Sequence, residues 1–379
     1  MSTHALVPVQ PAAPSDGPRL VGEAERRLGA TGGAHAAACG RLARLLFERV
    51  AEEDVTAANV EDLTALTAAA FDLLAQRRAK GHRIRLGERM LASGETVTVV
   101  DVLNDDMPFL FDSVTGALVE AGHEIRLVAH PILEVARDGA GGFVDLVDPR
   151  AARPAGTIRR ESLIHVHLTR LSSEAARGEL VASLEATLAD VRAAVEDWKA
   201  MLKRLGELVV AYRWGATPLE TATRDEALRF MEWLAEDNFT FLGMREYRFV
   251  ETEGGAYVEP MGETGLGILR DPEVRVLKRG AESLNAANAI GAFARSPEPM
   301  MVTTSNIRSR IHRRVHMDYI GVKLWGDDGR MCGELRILGL FTASAYTRSV
   351  HDVPMVREKV ARVVARAGLP AGSHSAHAL

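Results

Sequence analysis

Residues 96–135 read TVTVVDVLNDDMPFLFDSVTGALVEAGHEIRLVAHPILEV, and the spacing of their apolar residues changes twice. Thr96 to Leu103 is rich in β-branched side chains and reads as a strand. Asn104-Asp105-Asp106-Met107-Pro108 supplies turn and cap chemistry, with Pro108 near a first helical position. Phe109, Leu110, Val114, Leu118 and Val119 then form a helical stripe that stops at Gly122. Glu124 to Val135 returns to strand character, and Asp138-Gly139 to Gly142 reads as a hairpin loop. Glu161 to Thr169 alternates as a third strand. Ser173 to Trp198 is a long helix with Leu180, Leu184, Leu188 and Val191 on one face. This order predicts an α+β sandwich with helices covering one face of an antiparallel sheet.

Upstream, residues 1–18 are rich in Ala and Pro and are expected to form a disordered leader. Residues 19–94 are expected to be helical. Leu42, Leu45, Leu46 and Val50 make one stripe, and Leu63, Leu66, Ala70, Phe71 and Leu74 a second, after a possible cap at Asn59. The sandwich is assigned to 95–222. A second unit, 223–367, begins with a helix over Arg224–Ala235 and a strand over Phe239–Val250. Tyr257-Val258, Gly267–Leu269 and Met300–Thr304 are shorter strand candidates. Ile307–Leu324 and Arg330–Phe341 pair across the turn Gly326-Asp327-Asp328-Gly329. A final helix covers Val353–Ala367, and 368–379 is a tail.

The chain has 379 residues, 47% of them hydrophobic and 26% charged, enough to give each domain its own core. A net charge of −5 creates no field that would recruit nucleic acid or an anionic membrane. The first residues lack the basic start and apolar run of a secretory signal, and charges break every apolar stretch before the ~20 residues of a membrane span. Cys39 and Cys332 form no CxxC pair, so both are expected to be packing thiols in a reduced, cytoplasmic setting.

Several segments together resemble the large bacterial NAD-specific glutamate dehydrogenases. They are Asn104–Val114 (NDDMPFLFDSV), Ala129-His130-Pro131-Ile132, Glu161–Leu168 (ESLIHVHL) and Trp233–Tyr247 (WLAEDNFTFLGMREY). The most telling block is Ser305–Ser349, with SNIRSRIHRRVHMDYIGVK, GELRILGLFT and AYTRS. The resemblance covers roughly residues 35–379 and implies an N-terminal regulatory segment. It implies an ACT-like, ferredoxin-like α/β sandwich followed by a PAS-like antiparallel sheet module, with flanking helices. It also implies an amino-acid effector at the loop Asp105, Asp106, Met107, Pro108 and Phe109, with Phe109 where the ACT loop carries glycine. No fourth ACT strand is evident after Trp198. The implied partners are a downstream dehydrogenase domain and other subunits of the same enzyme. NAD belongs to the parent enzyme, and no cofactor is expected on this chain.

The residues carry little catalytic chemistry of their own. Gly262-Glu-Thr-Gly265-Leu-Gly267 has its glycines in the wrong order for a dinucleotide loop and no amphipathic helix after it. The Gly-Gly-x-Lys segment that the resemblance leads one to seek is absent, since Gly-Gly at 32–33, 141–142 and 254–255 is never followed by that lysine. Read as a strand, 307–316 puts Arg308, Arg310, His312, Arg314 and His316 on one side, with Ile311, Val315 and Tyr319 opposite. Such a row suits an intersubunit or interdomain contact, a solvated edge or an anion site. His312-Arg-Arg-Val-His316 carries Arg313 where a zinc peptidase needs its base, and His165-Val-His167 lacks further ligands, so neither is a metal site. Asp105 and Asp106 are expected to cap the helix that follows them.

Overall fold

The computed structural model describes residues 16–78, 80–252, 255–274, 276 and 289–368. The chain forms two compact units that divide at Leu188/Ala189. Most of the expected leader and tail lie outside the described residues.

In the first unit, four helices precede the sheet: α1 (Asp16–Gly29), α2 (Ala36–Phe47), α3 (Glu52–Thr56) and α4 (Val60–Gln76). Helix α1 corrects the expected leader, because it begins at Asp16 and buries Val21, Ala24 and Leu28 on one face. Asn59 caps α4 as expected, accepting from the Asp62 backbone, while the Asp62 side chain returns to the Asn59 backbone. The strands are β1 (Arg83–Met90), β2 (Thr96–Asp105), β3 (Ile125–Ala129), β4 (Ile132–Arg137), β5 (Phe143–Leu146) and β6 (Thr157–Thr169). Helix α5 (Leu110–Glu120) follows β2, and α6 (Glu174–Trp214) follows β6.

The sheet order is β1-β2-β6-β4-β5, all antiparallel, with β3 also on β6. Strands β3 and β4 continue one register along β6, from Ala129↔His165 to Ile132↔Ser162. Pro131 interrupts them because it has no N–H to donate, though its carbonyl accepts from Leu163 at 3.1 Å. The segments β2, α5, β3–β4, β6 and α6 thus follow a ferredoxin-like path. Its remaining edge beside β2 is filled by β1, which precedes β2 in the chain. The structure therefore corrects the purely helical 19–94 region. Its strand, RIRLGERM, carries charges suited to an edge but a weak apolar signal.

Both faces of this sheet are buried, not one. Val97, Val99, Leu103, Leu133, Val135 and Leu163 share a core with α1, α2 and α4. Val100, Val102, Ile164, Val166 and Leu168 point the other way and are also buried. The sequence TVTVVDVL lacks polar alternation for that reason: β2 is a central strand enclosed on both sides.

The second unit has the sheet order β10-β11-β12-β7-β8, with β9 on β7. Its elements are α7 (Thr221–Trp233), β7 (Phe239–Thr252), β8 (Gly255–Pro260), β9 (Leu266–Gly267), α8 (Ala289–Arg295), β10 (Met300–Arg308), β11 (His316–Trp325), β12 (Met331–Phe341), α9 (Ala343–Thr347) and α10 (Val356–Arg366). Met201, Leu205, Leu208 and Tyr212 of α6 share a core with α7 and with Ile320, Val322, Leu335 and Ile337 of the sheet. The boundary expected at 222/223 thus shifts into α6, which is one continuous helix to Trp214 with apolar stripes along both halves. Gly326–Gly329 forms the expected hairpin turn, with Gly326 donating to Arg330 at 2.8 Å.

Candidate functional site

The loop after β2 brings together three segments that are far apart in sequence. Asp105 ends β2 and pairs in register with Glu161 of β6. Asp106 forms an ion pair with Arg160 at 3.0 Å, and its N–H donates to the Arg160 carbonyl at 3.0 Å. Phe111 stacks on His130 with ring centroids 5.1 Å apart, and His130 Nε2 lies 2.8 Å from the Ser162 hydroxyl. Burial lowers the His130 pKa despite the nearby Asp106 and Asp112 carboxylates. The motifs NDDMPFLFDSV, AHPI and ESLIHVHL therefore meet at one end of the first sheet.

Helix α5 starts at Leu110, with Pro108 in the preceding turn instead of at its first position. Phe109 is the N-cap residue, with φ 69° and ψ −5°, and its own side chain makes no cap hydrogen bond. The loop keeps the left-handed conformation that glycine normally supplies, but a phenylalanine adopts it. The carboxylates of Asp105 and Asp106, expected to cap this helix, both meet guanidinium groups. Asp105 accepts from Arg77 at 2.7 Å and Asp106 pairs with Arg160.

Behind the loop lies a buried ionic network that the sequence does not single out. Arg137 donates to Glu161 through Nε at 2.5 Å and Nη2 at 2.8 Å. Arg77, just past α4, approaches the same carboxylate at 2.8 Å and reaches the Gly81 carbonyl. Arg137 also donates to the Leu74, Arg77 and Gly141 carbonyls, which satisfies the end of α4. Two guanidinium groups thus balance Asp105 and Glu161. This arrangement ties the end of α4 to β2, β4 and β6.

A second polar chain lies under the helical layer. Asp101 accepts from Arg85 Nε at 3.0 Å and faces His165 Nδ1 at 2.6 Å. The Nε2 atoms of His165 and His167 lie 2.9 Å apart, within hydrogen-bonding distance. Burial is the main cause of a His167 pKa lowered to about 3, with His165 adding to it. Desolvation alone would raise the Asp101 pKa, but His165 and Arg85 together hold it below the ordinary carboxylate value. Among the described residues no group of three His, Cys, Asp or Glu side chains is placed to hold a metal ion.

The segment 307–316 is not one strand. Ladder β10 ends at Arg308, and residues 309–315 form a loop before β11 starts at His316. Ser309 holds this loop, its hydroxyl donating to the Ile311 carbonyl at 2.7 Å and accepting from the Ile311 N–H at 3.0 Å. Arg308 and His316 face each other across its base, and His312 has φ 61°. Arg308 donates to the Arg314 carbonyl, Arg310 pairs with Asp190 at 3.1 Å, and His316 Nδ1 lies 3.2 Å from the Ser305 carbonyl. The single row expected of Arg308, Arg310, His312, Arg314 and His316 is therefore corrected, because a loop does not keep a strand's period of two.

Elsewhere, Gly262–Thr264 is a short 3-10 turn, and Gly267 pairs with Gly243 in β9, so this stretch is no strand-to-helix nucleotide loop. Cys39 is buried as expected, whereas Cys332 is exposed. Among the described residues no helix is long and apolar enough to cross a membrane.

Residues 42–184 match the family model for the glutamate dehydrogenase ACT1 domain, and 353–379 match that for glutamate dehydrogenase helical motif 1. The chain is 32% identical to the NAD-specific glutamate dehydrogenase of Halomonas elongata over 340 residues, or 88% of this chain and 21% of that protein. It is 27% identical to the Pseudomonas aeruginosa enzyme of the same name, over 88% of this chain and 20% of the relative. The Mycobacterium tuberculosis enzyme is 24% identical over 76% of this chain and 17% of the relative. The chain thus spans about a fifth of the length of the curated relatives it matches. The ACT1 match coincides with the sheet on which the 105–109 loop, His130 and Glu161 converge, and the chain belongs to the NAD-specific glutamate dehydrogenase family as its N-terminal, ACT1-bearing segment.

Proposed function

We propose that this chain is a regulatory and assembly segment of an NAD-specific glutamate dehydrogenase, acting in the cytoplasm. The parent reaction is oxidation of L-glutamate with NAD+ and water to 2-oxoglutarate, ammonium and NADH. On this reading the reaction and the bound NAD belong to a dehydrogenase domain downstream, and this chain is inactive alone. The observation that carries the reading is the coincidence of the ACT1 match with a sheet whose buried ionic groups are consumed in packing. Regulation then works through packing against the downstream domain and other subunits of a homo-oligomer. The second sheet serves as a PAS-like partner module, and the exposed Arg308 and Arg310 at its 308–316 loop suit an intersubunit contact.

NAD-dependent glutamate oxidation, assayed on the 379-residue chain beside the full-length gene product, tests this. Activity confined to the full-length protein supports the segment reading, and turnover by the short chain overturns it.

A second reading is a stand-alone amino-acid sensor at Asp105, Asp106, Met107, Pro108 and Phe109. It is favoured by one observation, the left-handed conformation kept at Phe109. Calorimetry of this chain against the common amino acids separates the two, since absence of heat with all of them eliminates the sensor.

A further inference from the structure

One face of the second sheet packs against α6 and α7 with Met244, Ile320, Val322, Leu335 and Ile337. Register places a different set on the other face: Tyr319, Gly321 and Lys323 of β11, Glu334 and Arg336 of β12, and Arg245 and Tyr247 of β7. All of these side chains are buried. Residues 268–271 and 293–296 lie over this face. Arg245 donates to the Leu269 and Asp271 carbonyls, and Lys323 donates to the Ser296 carbonyl while sitting 4.9 Å from the Phe293 ring centroid.

The charges on this face do not balance. Its described strand residues bring three buried cations, Arg245, Lys323 and Arg336, against the buried carboxylate of Glu334, while Glu298 lies near enough to act on Lys323. Arg245 and Lys323 are held by neutral carbonyls. Glu334 is shared, with one oxygen taken by the Tyr319 hydroxyl and the other by Arg336 Nε at 3.0 Å. Gly321 makes that sharing possible, because a Cβ there would occupy the place of the Glu334 carboxylate. The Arg336 guanidinium lies 3.7 Å over the Tyr247 ring, which leaves its edge as the only direction for further bonds. Its Nη2 is buried and has no hydrogen-bond partner among the described residues. A guanidinium beside a carboxylate normally offers two parallel N–H groups, and a buried cation normally has its charge met. Here Nε is used, and Nη2 has no partner among the described residues, a place that an anionic oxygen would suit.

We propose that Arg336 anchors a small organic carboxylate on the covered face of the second sheet, with Lys323 and Arg245 supplying the surrounding positive charge. The site is separate from the loop at 105–109 and does not depend on the role proposed for that loop. Ligand occupancy would stabilise this unit and so give the second module a sensing function of its own.

The test is thermal unfolding of the 379-residue chain at pH 7.5, with sodium chloride replaced by sodium succinate or sodium phosphate at constant ionic strength. Succinate is expected to raise the midpoint saturably. In the charge-matched double variant Arg336→Met/Glu334→Gln the saturable rise is lost, whereas Arg248→Met, at an exposed arginine of the same sheet, retains it. If the double variant does not fold, Arg336→Lys keeps the charge but removes Nη2, and calorimetry should show succinate binding weakened by about tenfold or more. No saturable rise in the unaltered chain means that Nη2 is merely hydrated, and the proposal fails. It fails equally if the Arg336 variants respond as the unaltered chain does. A saturable, Arg336-dependent response to phosphate alone overturns the carboxylate assignment.

Discussion

Arg137 and Glu161 face each other from neighbouring strands β4 and β6, joined by two parallel hydrogen bonds of 2.5 and 2.8 Å, and neither side chain reaches solvent. Their bond is also the brace behind the 105–109 loop, because Arg77 spans from Glu161 to Asp105. Replacing one member leaves a buried charge unmet. Glu161→Gln is expected to cost about 3–5 kcal/mol. Urea unfolding monitored by circular dichroism measures this, and a loss below about 1 kcal/mol would show that the network is not held as described.

Acid should weaken the first unit through His167. Its folded pKa of about 3 lies below the ordinary value of 6.5, so between those two pH values the unfolded chain binds a proton that the folded chain does not. The stability is fully present above pH 6.5 and declines as the pH falls, by at most about 1.4 kcal/mol per pH unit. Asp101, with its pKa also depressed, adds a loss of the same sign below its ordinary value of 3.8. His167→Gln keeps a polar tip but cannot charge, and its denaturation midpoint should change less between pH 6.5 and 5. An equal slope in both proteins would move the acid sensitivity elsewhere.

Phe109 tests whether its positive φ is strained. Phe109→Gly removes the left-handed penalty of about 1–2 kcal/mol while losing a partly buried ring. The two effects nearly cancel, so the net change should stay within about 1 kcal/mol. Phe109→Ala loses the ring and keeps the penalty. It should therefore be the less stable variant, and the reverse order would mean that the loop relaxes away from φ 69°.

Gly321→Ala should destabilise the second unit by about 1–3 kcal/mol. The added methyl would collide with the Glu334 carboxylate and come within 3.0 Å of the Tyr319 hydroxyl. Neither neighbour can swing aside, since each is held by the other and Glu334 also by Arg336. An unchanged melting midpoint would show that this buried face is looser than its hydrogen bonds imply.

The path of the first sheet was legible wherever apolar spacing was strong. Thr96–Leu103, the stripe from Leu110 to Leu118 and Glu161–Thr169 all lie in the expected elements. Strand β1 was not legible, because edge pairing needs backbone groups more than apolar side chains. The loop at Asp105–Phe109 was found from local residues. Its neighbours His130, Ser162 and Arg160 entered only as separate motifs, and Arg77 and Arg137 not at all. Nothing in a linear sequence links Arg77 to Glu161 until the sheet closes. The 307–316 segment misled for the converse reason, since a Ser309 hydroxyl bond to the neighbouring backbone overrode strand alternation.

The sequence alone determined what short-range physics controls: strand and helix segments, the Asn59 cap, the Gly326–Gly329 turn and the motifs of the family. Tertiary structure decided which charges meet. It set Arg137 on Glu161, joined Asp101 to His165 and His167, and left Arg336 Nη2 without a hydrogen-bond partner among the described residues. The physical reason is that desolvation and pairing of ions depend on distance in space, and that distance exists only after the strands have found their registers.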